Sequence, residues 1–239
     1  MSTQYKDQFY EQRDRKTRKS AGEILGTIWP HIDIKNVLDI GCGVGTWLDV
    51  ANKMGALNAT GLEGPWVKNQ ETYVDKNKIT LIDFENLELD LSEQEIDLTI
   101  WLEVAEHLTQ EASDDIISKL RHSSQTVLFS AAIPGQGGRG HINEQWQSHW
   151  IDCFRRNGYI PYDYLRKIIW TNEDIPFWYR QNIFLFSRTE IESLNDCKIT
   201  GEHRLANLVH PALFERECER IDTKKFIRRT SRALKNMIT

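Results

Sequence analysis

The sequence predicts an α/β fold built on a mostly parallel sheet with helices on both faces. Short apolar runs alternate with longer amphipathic segments along much of the chain, the pattern of strands joined by helical crossovers. One such run, Val37-Leu38-Asp39-Ile40, passes straight into Gly41-Cys42-Gly43-Val44-Gly45, and glycine permits a tight turn whose bare backbone a ligand can approach. Acids stand at the ends of several runs, at Asp39, Glu63, Asp83 and Glu103. Ligands of open α/β sheets bind beyond the carboxyl ends of the strands, so these four acids should ring one crevice.

The elements follow in order. Tyr5 to Ile28 reads as a helix closed by Trp29-Pro30, with Tyr5, Phe9 and Tyr10 placed to form a lid or to cap the core. A strand over 36–40 leads through the glycine turn into a helix over 46–54. Ala59 to Leu62 is a strand ending at Glu63, and Ile79 to Ile82 is a third apolar run before Asp83-Phe84. Ile96 to Leu102 is a strand leading into Glu103. A helix is expected over 109–121, a strand over Thr126–Ala131, and a glycine-rich loop at Gly135-Gln136-Gly137-Gly138-Arg139-Gly140. Glu144 to Asn157 reads as a helix closed by Gly158. A mixed aromatic segment follows, and Ile183 to Ser187 reads as a strand. The expected organisation is a helical cap over 1–30, a main domain over 31–190 and a helical basic tail over 191–239.

A chain of 239 residues can bury a substantial core. It has no run of about eighteen apolar residues, so no membrane span is expected, and Met1 to Ser20 is too polar for a secretory signal. Cys42, Cys153, Cys197 and Cys218 lack paired or zinc-like spacing, which suits reduced thiols in a cytoplasmic protein. The net charge of −5 argues against a nucleic-acid partner, because phosphate binding is largely electrostatic. Lys224, Lys225, Arg228, Arg229, Arg232 and Lys235 nevertheless make the tail basic; it is a solvated helix face or a surface for oligomerisation.

The glycine turn is spaced Gly-x-Gly-x-Gly, not in the Gly-x-Gly-x-x-Gly pattern of dinucleotide sites. The acid before it, Asp39, suits a ligand with a cationic amino-acid end and would repel a pyrophosphate. Glu63 lies 24 residues after Asp39, where a carboxylate can accept hydrogen bonds from a ribose diol. Asp83 could take an adenine amino group, with the Phe84 ring on the base. In motif order and spacing, the stretch from Asn36 to Ala131 resembles the class I S-adenosylmethionine (SAM) methyltransferases. The resemblance implies a Rossmann-like, seven-stranded sheet, SAM as cofactor, Gly41, Gly43 and Gly45 in the cofactor turn, and Leu102 and Glu103 near the methionine end.

Glu103-Val104-Ala105-Glu106-His107 is the second strong feature. If a helical turn begins near Glu103, positions i, i+3 and i+4 share a face, and Glu103, Glu106 and His107 converge. Two carboxylates and an imidazole make half of an octahedral shell for a divalent ion, and His141, after the fifth run, is the candidate fourth ligand. The motif resembles that of two groups of metal-dependent methyltransferases, the Hen-type small-RNA 2′-O-methyltransferases and the ubiquinone-biosynthesis O-methyltransferases. That likeness implies Glu103, Glu106, His107 and His141 as ligands of Mg²⁺ or Mn²⁺. Without a metal, His107 or His141 is a general base or a packed residue.

Trp146 and the segment Trp178-Tyr179-Arg180-Gln181 combine rings with hydrogen-bonding groups, which suits the wall of a saccharide site. The same rings could instead fill a helix–sheet interface. The leading expectation is an O-methyltransferase acting on a hydroxyl of a saccharide, a nucleotide-linked sugar or a small metabolite, in a setting such as polysaccharide biosynthesis. The alternatives are an RNA 2′-O-methyltransferase, a metal-free enzyme using His as base, and a binding protein on the same fold.

Overall fold

The computed structural model describes residues 3–86, 91, 94–221 and 223, with side chains from residue 15 onward. Seven strands form one sheet: β1 (Asn36–Ile40), β2 (Asn58–Glu63), β3 (Ile79–Leu81), β4 (Ile96–Leu102), β5 (Ser124–Ser130), β6 (Ile160–Tyr162) and β7 (Phe184–Ser187). Their order is β3-β2-β1-β4-β5-β7-β6. β1 to β5 pair in parallel, while β7 is antiparallel to β5 and β6. Among the described residues the helices are α1 (Thr3–Ile28), α2 (Thr46–Lys53), α3 (Gln110–Ser123), α4 (Gln147–Arg156), α5 (Leu165–Ile169) and α6 (Phe177–Asn182), and residues 211–221 are also helical.

Period-two alternation in the strands feeds two cores, one on each face of the sheet. Leu98, Ile100, Leu128 and Leu185 join Ala21, Ile24, Leu25 and Ile28 of α1, Leu48 of α2, and Leu165 and Ile169 of α5. Trp101, Val127, Phe129, Phe184 and Phe186 join Ile116, Ile117 and Leu120 of α3, and Trp150 and Phe154 of α4.

Most expected elements stand within a residue or two of their predicted ends. Two differ for physical reasons. The helix expected from Glu144 begins at Gln147, because the Glu144 carboxylate is turned back to accept from Gly135 N and Gly137 N, both at 2.8 Å. The aromatic segment holds β6, α5 and α6, all short, and too brief to show a period. Ile191 and Leu194 are buried in the same core as α1 and β1, and Ala206 in the opposite one, so the stretch after residue 190 packs onto the sheet domain. The basic residues from Lys224 to Lys235 lie outside the described residues, as do the side chains of Tyr5, Phe9 and Tyr10. No helix among the described residues is long and apolar enough to cross a membrane.

Candidate functional site

β1 and β4 are adjacent in the middle of the sheet, and the candidate residues follow their carboxyl ends. The β1 turn is held by Gly41 N and Cys42 N donating to Leu62 O at 2.8 and 3.2 Å. Gly43 has φ 54°, and a side chain there would meet nothing within 4 Å, so the turn presents bare backbone to open space. Gly45, at φ 83°, starts α2.

Two acids flank this turn. Glu63 accepts from Gly43 N at 2.5 Å and from Gly64 N at 2.7 Å; burial raises its pKa, opposed by those bonds. Asp39 is only 3 % exposed, and its Oδ2 has no hydrogen-bond partner among the described residues. Burial first, and then the charge of Glu63, push its pKa well up. A buried carboxylate oxygen without a donor is costly, and a cationic amino group of a ligand would satisfy it. Asp39, the open Gly43 face and Glu63 therefore fit the amino-acid and ribose ends of SAM.

Phe84 does not fit its expected role. Its ring is buried in the core with Leu38, Ile40 and Leu62, so it is not free to cover a base. The Asp83 carboxylate accepts from Glu85 N and Asn86 Nδ2, both at 3.0 Å, closing its own turn. Leu102 likewise gives its side chain to the core.

The β4 end carries the second cluster, but not as one helical face. Glu103 is left-handed at φ 56°, and the turn after it is a 3₁₀ turn over Ala105–His107. The break separates Glu103 from its neighbours. Glu106, His107 and His141 bring one ligand atom each to within 4.8 Å of one another, and Glu103 is not in that group. The two imidazoles meet edge to face at 4.8 Å. Glu106 is 1 % exposed and its Oε2 is unpartnered among the described residues. Burial and the charge of Glu103 push its pKa up to about 9. His107 Nδ1 bonds Gly140 O at 3.2 Å, and burial lowers its pKa. His141 Nδ1 bonds Glu144 Oε1 at 2.9 Å, leaving Nε2 toward Glu106 at 4.0 Å. One buried carboxylate with an unpartnered oxygen and two imidazoles, each with a ring nitrogen to spare, form a donor set suited to a divalent ion.

Glu103 belongs to a different constellation. Gln136 Nε2 and Asn182 Nδ2 each donate to its carboxylate at 3.2 Å. Gln181, 0 % exposed, donates to Gln136 Oε1 and Asn182 Oδ1. Gln181 is thus a buried strut and not part of an open wall. Arg180 is buried as well, donating to Trp170 O at 3.0 Å. Tyr179 packs edge-on against Trp47 at 5.8 Å; burial and the charges of Glu103 and Asp39 raise its pKa, so its phenol stands near both acids. Trp178 and Trp146 are exposed. Trp146 lines an open groove with His149, Asp152, His203 and Arg204.

Sequence reasoning missed Glu144 and Gln136, and it read Asn182 with the aromatic segment as a group facing the acceptor. Glu144 was legible as an acid three residues after His141; that Gln136 and Asn182 meet at Glu103 gave no signal, because chain topology alone brings them there.

No family model matches the sequence, and no curated protein matches it. Solved structures do match. A SAM-dependent methyltransferase from Archaeoglobus fulgidus superposes with a TM-score of 0.55 at 16% identity, covering 76% of this chain and 98% of the other. The strand order and the superposition agree. This is the class I methyltransferase fold. Streptomyces venezuelae DesVI gives 0.55 at 14% identity over 77% of this chain and 96% of its own. An S-adenosylmethionine-dependent methyltransferase from Clostridium acetobutylicum gives 0.54 at 9% identity, over 77% and 99%.

Proposed function

We propose that this chain is a SAM-dependent O-methyltransferase that uses a divalent metal, with a saccharide, nucleotide-linked sugar or small metabolite hydroxyl as acceptor. The observation that carries the reading is the pairing, at neighbouring strand ends, of two buried and unsatisfied acids. Among the described residues Asp39 Oδ2 lacks a donor beside an open glycine face, and Glu106 Oε2 lacks one beside two imidazoles.

Asp39 would accept from the cofactor's amino group and Glu63 from its ribose hydroxyls. The sulfonium methyl is already electrophilic, so the protein's task is to orient and deprotonate the acceptor. Glu106, His107 and His141 would hold Mg²⁺ or Mn²⁺, whose charge lowers the pKa of a bound hydroxyl. Glu144 fixes the His141 tautomer and aim, as an outer carboxylate does for a ligating imidazole. Trp146 and its groove supply an aromatic wall for the rest of the acceptor. No membrane span is needed for this chemistry, and a cytoplasmic setting suits it.

A second reading is metal-free base catalysis. His107 has a lowered pKa from burial and is neutral at pH 7, ready to take a hydroxyl proton. One experiment separates the two. Methyl transfer from labelled SAM to a library of sugars, sugar nucleotides and catechols is run with and without excess chelator. Metal-dependent labelling supports the first reading, chelator-resistant labelling the second. Failure to bind SAM by calorimetry sinks both.

A further inference from the structure

Both imidazoles of the candidate metal cluster lean on one loop. His107 Nδ1 bonds Gly140 O at 3.2 Å, and a side chain at Gly138 would strike the His141 ring. Glu144 ties the same loop to His141: it accepts from Gly135 N and Gly137 N and bonds His141 Nδ1. A shift of the loop therefore shifts both rings. Gly135, Gly137, Gly138 and Gly140 leave the loop few side chains with which to fix its own shape, so partners outside it must do so.

The helix over residues 211–221 is such a partner. Its start is pinned to the α5–α6 region. Ala212 N donates to His210 Nδ1 at 3.1 Å, which leaves the ring proton on Nε2 to donate to Trp170 O at 3.0 Å. His210 N donates to Gln181 Oε1 at 2.8 Å, and Leu213 is buried. Leu213, Arg216 and Arg220 follow at i, i+3 and i+7, one stripe of the helix. Arg216 donates to Gln136 O and lies over the Phe177 ring at 5.1 Å, a cation–π contact. Arg220 Nη1 would stand 3.9 Å from a side chain at Gly137. Glu217 pairs with both guanidinium groups, at 3.4 and 3.1 Å. The Gln136–Gly137 peptide is thus held at both ends, its N–H by Glu144 and its C=O by Arg216. These two groups point in opposite directions across a planar trans peptide, so the loop is gripped from two sides.

We infer that Arg216 is a positioning residue for the His107–His141 pair: it fixes the Gln136–Gly137 peptide against the 211–221 helix, and the loop so fixed aims both imidazoles at Glu106. The inference rests on the metal reading above. It makes the segment after His210 a working part of the site. Two features separate this role from ordinary packing. The Arg216 side chain is 44% exposed, so little of the core depends on it. Removal of a positive charge would by itself strengthen the binding of a cation, whereas loss of aim weakens it, so the sign of the change tells the two apart.

The test is Mn²⁺ binding to the full chain by electron paramagnetic resonance, with calorimetric binding of S-adenosylhomocysteine and amide hydrogen exchange over residues 135–141 measured alongside. Wild type, Arg216→Ala, Arg216→Lys and Arg121→Ala are compared. Arg121 is exposed near the end of α3, just before the amino end of β5, and controls for the loss of one charge. Arg216→Ala is expected to bind Mn²⁺ about two- to thirtyfold more weakly, the range in which residues acting through a packed network shift another site. It keeps its affinity for S-adenosylhomocysteine and exchanges faster over the loop. Arg216→Lys retains a cation and one donor group, so it recovers part of the Mn²⁺ affinity, and its position below wild type carries the test if Arg216→Ala does not fold. Arg121→Ala behaves as wild type. Unchanged or tighter Mn²⁺ binding in Arg216→Ala overturns the inference, as does an equal loss of both ligands, which marks a general loosening of the fold. Wild type that binds no Mn²⁺ defeats the metal reading itself, a different outcome from wild type and variants binding the ion alike.

Discussion

The Nδ1 atom of His141 lies 2.9 Å from Oε1 of Glu144, and the same carboxylate caps the glycine loop through Gly135 N and Gly137 N. Hydrogen bonds to this acid lower its pKa against the effect of burial, so it stays ionised and keeps the imidazole proton on Nδ1. Nε2 is then free as a ligand atom. Glu144→Gln should weaken Mn²⁺ binding about 10–100-fold, the usual cost of losing an outer partner of a ligating histidine. Affinity for S-adenosylhomocysteine should hold. Electron paramagnetic resonance titration with Mn²⁺ reads the first quantity and calorimetry the second; unchanged Mn²⁺ affinity removes Glu144 from the site.

Glu63 accepts hydrogen bonds from Gly43 N and Gly64 N, so it braces the turn, and in the proposed site it would also take the ribose hydroxyls. Glu63→Ala should lose about 1–3 kcal/mol of SAM binding through a missing buried contact. Isothermal titration with SAM measures it, and unchanged affinity means that Glu63 is not the ribose partner.

The same comparison of residues explains what the sequence could reveal. Glycines and strand-end acids are local signals, so the turn after β1 and the strand ends that carry Asp39 and Glu63 were readable, as were the strands whose apolar runs are long. Glu103 misled because spacing predicts a shared helical face only if the backbone is helical, and its left-handed φ breaks that condition. Phe84 misled because an aromatic ring next to an acid looks the same whether it faces a ligand or the core. Gln181 was read as part of a wall and is a buried strut, since only the tertiary arrangement brings Gln136 and Asn182 to meet it.

The raised pKa of Asp39 sets a pH dependence. Burial and Glu63 push it above the usual carboxylate range, so the ligand-free folded protein holds a proton there that the unfolded chain has already released. By linkage, this group's contribution to stability falls as pH rises from the unfolded value toward the folded one. Binding of a cationic amino group needs the carboxylate, so S-adenosylhomocysteine affinity should rise with pH across that same interval, with a proton released on binding. Calorimetry in buffers of different ionisation heat counts the proton. Asp39→Asn should bind weakly and show a flatter profile; an unchanged profile in that variant assigns the proton elsewhere.

Phe129 is the hub of the core beneath this site. Its ring meets Trp101 and Trp150 at 5.1 Å, Phe154 at 5.2 Å and Phe186 at 6.2 Å, joining β4, β5 and β7 to α4. A cavity at such a junction cannot collapse, because each neighbour is fixed by a different element. Phe129→Ala should therefore cost about 3–5 kcal/mol of stability, read as a lower midpoint in urea at unchanged slope. Since β4 and β5 carry Trp101 and Phe129 and end at the Glu106–His107–His141 cluster, while β1 enters the same core through Leu38 and Ile40 without a ring contact to Phe129, the surviving folded fraction should lose Mn²⁺ affinity before it loses affinity for S-adenosylhomocysteine. Parallel loss of both would mean that the two halves of the crevice share a single support.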